Sequence, residues 1–286
     1  LKKFRNGLAL IMQNPFFKNM SDIIFSLSNS KVKELVKLRE SAKRRRELSH
    51  FVIEGYPDLK SIYESGRKVE EIFFCWELIK KAGLEKEFEE LENLDFLLTE
   101  LSKEAFSKAS YRKGSDGFLS IAHSWPLLLK NTIQENTQIC IVLDEIEKPG
   151  NLGAIIRTAE AFGVNSILLS DSSVDCFNPN VVRSSRGLMA GINIGMGTKE
   201  EVHAFLVEKK FMLVGTSGRC NNSYWEQEFN KKIAFIFGSE KEGLGNFWRE
   251  HLACQVEIPM KGNADSLNLH ASAACILAEY NRRNLI

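Results

Sequence analysis

The chain has 286 residues, 44% of them apolar and 26% charged, with a net charge of +1. That length suits two ordinary domains and the composition is that of a globular protein. No apolar run approaches the ~20 residues of a membrane span. The six cysteines, at positions 75, 140, 176, 220, 254 and 275, form no Cys-x-x-Cys pair and have no close histidine. This argues against a metal site and against a secreted disulfide framework, so a reduced, cytoplasmic setting with no metal is expected.

In chain order, residues 1–20 carry Lys2, Lys3, Arg5 and Lys18 and no acid. Their apolar stretch is too short for a secretory signal, and an organellar leader would hold more Arg and Ser. They are expected to be a poorly ordered extension. Residues 21–47 have helical spacing, with Ile23, Ile24, Leu27, Val32, Leu35, Val36 and Leu38 as an apolar stripe and Ser30 placed to cap a second helix. Residues 31–46 hold eight Lys or Arg against two Glu, ending in Lys43, Arg44, Arg45 and Arg46. Basic residues at a helix C-terminus favour the macrodipole, but four in a row exceed what a cap needs and point to phosphate contacts. Strands are predicted at 51–55, 69–75, 95–99 and 118–123, with helices at 57–65, 78–91 and 102–107, which makes residues 21–125 a compact α/β layer domain. The polar run 111–117 reads as a mobile loop whose Arg112 and Lys113 are also placed to touch nucleic acid.

Residues 126–137 read as a linker to a second domain, 138–286. This opens with a near-continuous apolar strand at 138–143, of the buried parallel-sheet type. An amphipathic helix at 151–162 follows, with Leu152, Ile155, Ile156 and Ala159 inward and Gly163 in the left-handed cap position. Further strands are predicted at 166–169, 192–194, 212–216, 233–238 and 254–258, with helices at 181–190, 199–208, 246–251 and 267–283. Ser266 is placed to cap the last helix. Strand and helix alternating in this way predict a doubly wound parallel sheet, whose ligands bind at the carboxyl ends of the strands.

Three stretches follow strands of this domain. They are Lys-Pro-Gly-Asn-Leu-Gly-Ala-Ile-Ile-Arg-Thr-Ala at 148–159, Ile-Phe-Gly-Ser-Glu-Lys-Glu-Gly-Leu-Gly at 236–245, and Ile-Pro-Met-Lys-Gly-Asn-Ala-Asp-Ser-Leu-Asn at 258–268. Each offers Gly, which lets backbone approach a ligand closely, together with small polar and charged residues. Asn151 and Arg157, six apart, do not share a helix face, so the loop before the helix has to bring Asn151 round for both to meet one ligand. Singly each stretch is an ordinary strand-to-helix turn. None is a dinucleotide or phosphate loop, and there is no Gly-x-Ser-x-Gly elbow, which counts against NAD, ATP and a Ser-His-Asp hydrolase.

Together, in this order and spacing, the three stretches resemble the motifs of the SpoU (TrmH-type) RNA 2′-O-methyltransferases of the SPOUT superfamily. Asn-x5-Arg-Thr-Ala, Gly-Ser-Glu-x2-Gly-Leu and Ile-Pro-Met-x-Gly-x3-Ser-Leu-Asn carry the likeness. More loosely, residues 21–125 resemble the L30e-like substrate-binding domain that precedes the catalytic domain in several members. The resemblance implies an α/β catalytic domain with a deep trefoil knot, an exception to the rule that chains do not knot. It further implies S-adenosylmethionine as cofactor, RNA as substrate, and a homodimer whose site is completed across the interface. By matching position, Gly238, Ile258, Met260 and Leu267 correspond to cofactor contacts, with Thr216, outside the three stretches, added to them, and Asn151, Arg157, Glu240, Ser266 and Asn268 to the catalytic set. Arg157 has been cast as a base in this family, but an arginine stays charged; holding the target phosphate and stabilising the developing alkoxide suits it better.

The expected reaction is methylation of a ribose 2′-hydroxyl in structured RNA, ribosomal RNA before transfer RNA because of the added domain. A non-catalytic RNA-binding protein on the same fold is the alternative from another class. The sequence departs from the family pattern at Glu147-Lys148-Pro149, at 178–188 and at Leu269-His270-Ala271. These departures bear on the substrate and leave the motif residues untouched.

Overall fold

The computed structural model describes residues 20–284 apart from 113, 219, 221 and 230. The expectations placed on residues 1–19 and on Lys113 lie outside these. The chain divides into two compact units, residues 1–124 and 125–286. Among the described residues, no helix is long and apolar enough to cross a membrane.

The first unit holds a five-stranded mixed sheet of β1 (Met20–Ile24), β2 (His50–Glu54), β3 (Val69–Phe74), β4 (Leu98–Leu101) and β5 (Phe118–His123), in the order β1-β4-β3-β5-β2. The helical expectation fails at β1. Ile23 and Ile24 belong to a strand lying parallel to β4, with Met20 opposite Leu98. A partner so distant in sequence overrides the local apolar stripe. The chain then turns through Ser26, whose carbonyl accepts the Asn29 amide. Asn29, not Ser30, caps α1 (Ser30–Glu40), its side chain accepting from the Lys31 amide. Ser41 ends α1 and caps α2 (Ala42–Leu48).

Helices α3 (Tyr56–Glu64), α4 (Trp76–Ala82), α5 (Glu85–Glu92) and α6 (Lys103–Ala109) complete the unit. The single helix expected at 78–91 is two, because Gly83 takes the left-handed conformation, φ +70°. Ser102 caps α6 as its sequence position suggests. Val32, Leu35, Leu38, Phe73, Phe106 and Leu119 interlock as the core.

The second unit is a six-stranded, wholly parallel sheet of β6 (Ile139–Asp144), β7 (Ser166–Ser170), β8 (Asn193–Gly197), β9 (Met212–Thr216), β10 (Ile233–Phe237) and β11 (Cys254–Val256). Its order is β11-β9-β10-β6-β7-β8. The chain runs outward from β6 to β8, then crosses to build the other half, the reversal beside which such sheets bind ligands. Helices are α7 (Pro149–Ala161), α8 (Pro179–Ser184), α9 (Lys199–Glu208), α10 (Asn246–His251) and α11 (Leu269–Asn284).

Val202 and Leu206 of α9 and Trp248 of α10 pack with Val142, Leu168, Ala234 and Ile236. The alternate residues serve α11: Phe235 meets the Tyr280 ring edge-on at 5.8 Å. Helices α7 and α8 approach almost backbone to backbone, since a Cβ on Gly153 would lie 2.6 Å from the Val181 carbonyl oxygen. The helix expected at 181–190 stops at Ser184, where Arg186 and Gly187 take positive φ.

Residues expected to link the domains pack into the second unit instead. Leu128 bridges to Met196, and the buried Thr132 accepts the Ser166 hydroxyl through its carbonyl at 2.8 Å.

Candidate active site

The neighbouring strands β9, β10 and β11 each release a loop at their carboxyl ends. After β10 the chain doubles back at once. The Ser239 amide donates to the Gly243 carbonyl at 3.1 Å, and the Gly243 amide returns a bond of 3.0 Å to Ser239. This knuckle closes over Gly238 so tightly that a Cβ there would sit 2.1 Å from the Gly243 carbonyl carbon, and Gly243 itself has φ +69°. Glycine is therefore required at 238 for space and favoured at 243 for conformation. After β9, the Thr216 hydroxyl donates to the Ile236 carbonyl at 3.2 Å, and the Ser217 amide to the Val256 carbonyl at 2.9 Å, which ties the three strand ends together.

After β11, Glu257 is drawn aside by the Cys220 amide at 2.9 Å, while Ile258 and Met260 turn to the interior of the loop cluster. The loop then reaches Asn268, whose side chain accepts from the His270 amide at 2.9 Å and whose carbonyl accepts from Ser272. Asn268, not Ser266, caps α11; it stands at the helix entry, two residues nearer the first free amides.

The loops enclose a cavity of about 900 Å³. Thr216, Gly238, Ile258, Met260 and Leu267 all line it, and so do Glu240, Ser266 and Asn268. Asn151 reaches its rim from the first turn of α7, inside the helix rather than from the loop before it. The Asn151 side chain donates through Nδ2 to the Glu240 carboxylate, and Asn268 Nδ2 donates to Asn151 Oδ1 at 3.5 Å. Lys148 also donates to Glu240, a contact that the sequence reading missed. Its only signal was the departure from the family pattern before Pro149.

Arg157 is not brought to this cluster. It is exposed on α7 and does not line the cavity. Six residues from Asn151 place it roughly 9 Å further along the helix axis. Its neighbour Thr158 is joined to His270 of α11 by a hydrogen bond of 2.8 Å, which locks the two helices beside it.

The basic residues singled out in the first unit separate into two kinds. Arg45 is only 4% exposed and donates to the Leu38 and Arg39 carbonyls at 2.5 and 3.1 Å. Arg44 grips Glu34 through two bonds of 2.8 Å, which hold the Glu34 carboxyl below its usual range. Arg112 pairs with the buried Asp58 at 2.9 Å. Lys43 and Arg46 remain exposed. The expected four-residue phosphate patch is thus reduced, because two of its members are spent on holding α1 to α2.

With this geometry in view, the relatives are informative. Residues 138–278 match the SpoU rRNA Methylase family, and residues 29–120 match the MRM3-like substrate binding domain. A solved RNA 2′-O ribose methyltransferase superposes with a TM-score of 0.81 at 31% identity, over 92% of this chain and 100% of that one. The AdoMet-bound rRNA methyltransferase of Sinorhizobium meliloti shares the fold, with a TM-score of 0.79 at 24% identity over 94% of this chain and 99% of that one. The 23S rRNA (guanosine(2553)-2′-O)-methyltransferase RlmP of Bacillus subtilis is 26% identical across 89% of this chain and 97% of its own length. The 23S rRNA (uridine(2479)-2′-O)-methyltransferase of Streptomyces viridochromogenes is 30% identical over 151 residues, 51% of this chain and 53% of that protein. The chain belongs to the SpoU rRNA methylase family.

Proposed function

We propose that this protein transfers a methyl group from S-adenosylmethionine to a ribose 2′-hydroxyl of structured RNA, and that the RNA is ribosomal. The observation that carries the reading is the single cavity in which the five cofactor-position residues meet, with Glu240, Asn151 and Asn268 hydrogen-bonded at its rim.

The residues present fit the cofactor. A cavity of about 900 Å³ lies within the range of ~300–1,000 Å³ usual for small-molecule sites. Ile258, Leu267 and Val256 offer apolar walls for a flat base. The side-chain-free backbone at Gly238 and Gly218 leaves amides and carbonyls open for hydrogen bonds. When bound, the cofactor supplies an electrophilic methyl on a sulfonium centre. The protein's task is then to hold the ribose hydroxyl in line with that methyl and to ease departure of its proton. The Asn268–Asn151–Glu240–Lys148 chain fixes the second and third loops against the start of α7, and so sets where the ribose sits. Ser266 orients the sugar from the third loop.

Arg157 supplies the positive charge, holding the target phosphate and stabilising the developing alkoxide. Its exposure and its distance from the cavity support a homodimer in which Arg157 enters the site of a second copy. The trefoil knot belongs to the same reading. It is supported by the adjacency of β9, β10 and β11 and by the convergence of all three following loops on one cavity.

Transfer of tritium from labelled S-adenosylmethionine tests the reaction. Label is expected in ribosomal RNA and on ribose; label in transfer RNA alone would overturn the substrate. Arg157→Ala is expected to lower turnover by more than about 100-fold while cofactor affinity stays unchanged.

A further inference from the structure

The first unit contains a group of side chains that methyl transfer does not use. His50 on β2, Glu70 on β3 and His123 on β5 present one donor atom each, all within 4.8 Å of one another. Three neighbouring strands bring them together, in the order β3-β5-β2. His50 and His123 stand directly opposite across the antiparallel β2–β5 pair. The Ser124 amide donates to Ser49 while the His123 amide turns to Lys68 on the other side. The two histidines therefore form the non-hydrogen-bonded kind of cross-strand pair, in which side chains lie closest. Their ring centroids are 4.4 Å apart.

Glu70 reaches them by an irregularity of the sheet. The β3–β5 register pairs Val69 with Ala122 and Glu71 with Ile121, so Glu70 is the extra residue of a bulge. Bulges re-aim a side chain, and this one sets the Glu70 carboxylate 2.7 Å from His123 Nε2. A hydrogen bond accounts for those two residues but not for the third. His50 Nε2 is buried and has no hydrogen-bond partner among the described residues. A buried polar atom left this way calls for an explanation, and a bound cation supplies one.

We propose that His50, Glu70 and His123 are the protein ligands of a zinc site in the first unit, with water filling the remaining position. Two imidazoles and a carboxylate are a donor set that suits zinc. Donors around a tetrahedral zinc with bonds of about 2.0–2.1 Å lie roughly 3.3 Å apart. The present cluster, with one pair at 2.7 Å and none beyond 4.8 Å, needs only side-chain adjustment to meet that. Glu70 is on the exposed side, which leaves the open position to solvent. Lys68, 3.6 Å from Glu70, is the nearby competing cation, and its side chain is 70% exposed and free to swing away. The ion would clamp β2, β5 and the bulge of β3 at the end where the chain leaves the first unit, one residue before Ser124.

The test uses the full, tag-free chain, stripped with chelator and dialysed. Zinc is titrated in competition with a chromophoric chelator, and cobalt(II) absorption reports the geometry. One zinc per chain is expected, with a visible cobalt spectrum of tetrahedral intensity and a raised unfolding temperature. His123→Gln is expected to weaken binding by more than about 100-fold, beyond the loss typical of outer-shell partners. Glu70→Gln, at an exposed position that does not threaten folding, should do likewise. His203 and His251 of the second unit, a ring pair at the same 4.4 Å spacing without the carboxylate, serve as the control; His203→Gln should change nothing. Binding weaker than ~100 µM in the wild-type chain, or unchanged affinity in Glu70→Gln, or a loss seen only in His203→Gln, would each overturn the site.

Discussion

The two units differ in what their conspicuous residues are used for. In the first, the charges that stand out in sequence are largely consumed within the fold: Arg45 by two carbonyls, Arg44 by Glu34, Arg112 by Asp58. In the second, the conspicuous residues are a glycine, a carboxylate and small polar groups at strand ends, and these are left facing a cavity. A run of charge says nothing about which member will find an internal partner. A glycine at the end of a buried parallel strand is tied to backbone geometry, so its role survives folding.

The largest expected effect lies in the second unit. Gly238→Val places side-chain atoms where the Gly243 carbonyl carbon already stands, 2.1 Å from an ideal Cβ. The knuckle must open, and cofactor affinity measured by calorimetry should fall by more than about 100-fold, or ~2.7 kcal/mol. Unaltered affinity would show that the loop does not shape the site.

Next comes the contrast inside the basic cluster. Arg45→Ala removes the donor to two carbonyls in a buried setting and should cost about 2–3 kcal/mol in denaturant unfolding of the full chain. Replacing the exposed Lys43 and Arg46 by Ala should leave stability within ~0.5 kcal/mol. It should lower the salt dependence of RNA binding by one or two counterions, on the order of one per phosphate contact. If Arg45→Ala proved harmless to stability while abolishing RNA binding, the distinction between the units would dissolve.

Most of the second sheet could be read in the sequence because β6 and β10, buried on both faces, are written as continuous apolar runs. Most of the cavity lining could be read because, Thr216 apart, the residues expected there fall in short motifs after β10 and β11. What stayed hidden depended on distant partners. β1 is a strand only because β4 receives it. Lys148 meets Glu240 across 92 positions. His50, Glu70 and His123 come together through a cross-strand pair and a bulge, neither of which leaves a local pattern. Asn268 took the cap from Ser266 for a smaller reason: helix ends are the least sharply encoded part of a helix.

The smallest effect concerns the end of the chain. Glu279 accepts from Arg282 and Arg283, which hold its carboxyl at about 2 against an ordinary value of 4.5. Arg283 also donates to the Gln227 carbonyl at 2.7 Å, linking α11 to the segment between β9 and β10. A carboxyl lowered on folding adds stability that is complete above about pH 4.5 and is lost as the pH falls towards 2. The unfolding temperatures of wild type and Glu279→Gln should therefore differ at neutral pH and converge in that window. A difference independent of pH would remove the ion pairs from the account.

In the proposed dimer one chain builds the cofactor cavity and a second copy brings Arg157 to it. Methyl transfer into ribosomal RNA by mixed dimers of Arg157→Ala and Gly238→Val, each inactive alone, tests this directly. Recovered activity is predicted, because the Arg157→Ala cavity would receive the intact arginine of the other copy. Mixed dimers as silent as either parent would place Arg157 and its cavity in the same chain and contradict the account.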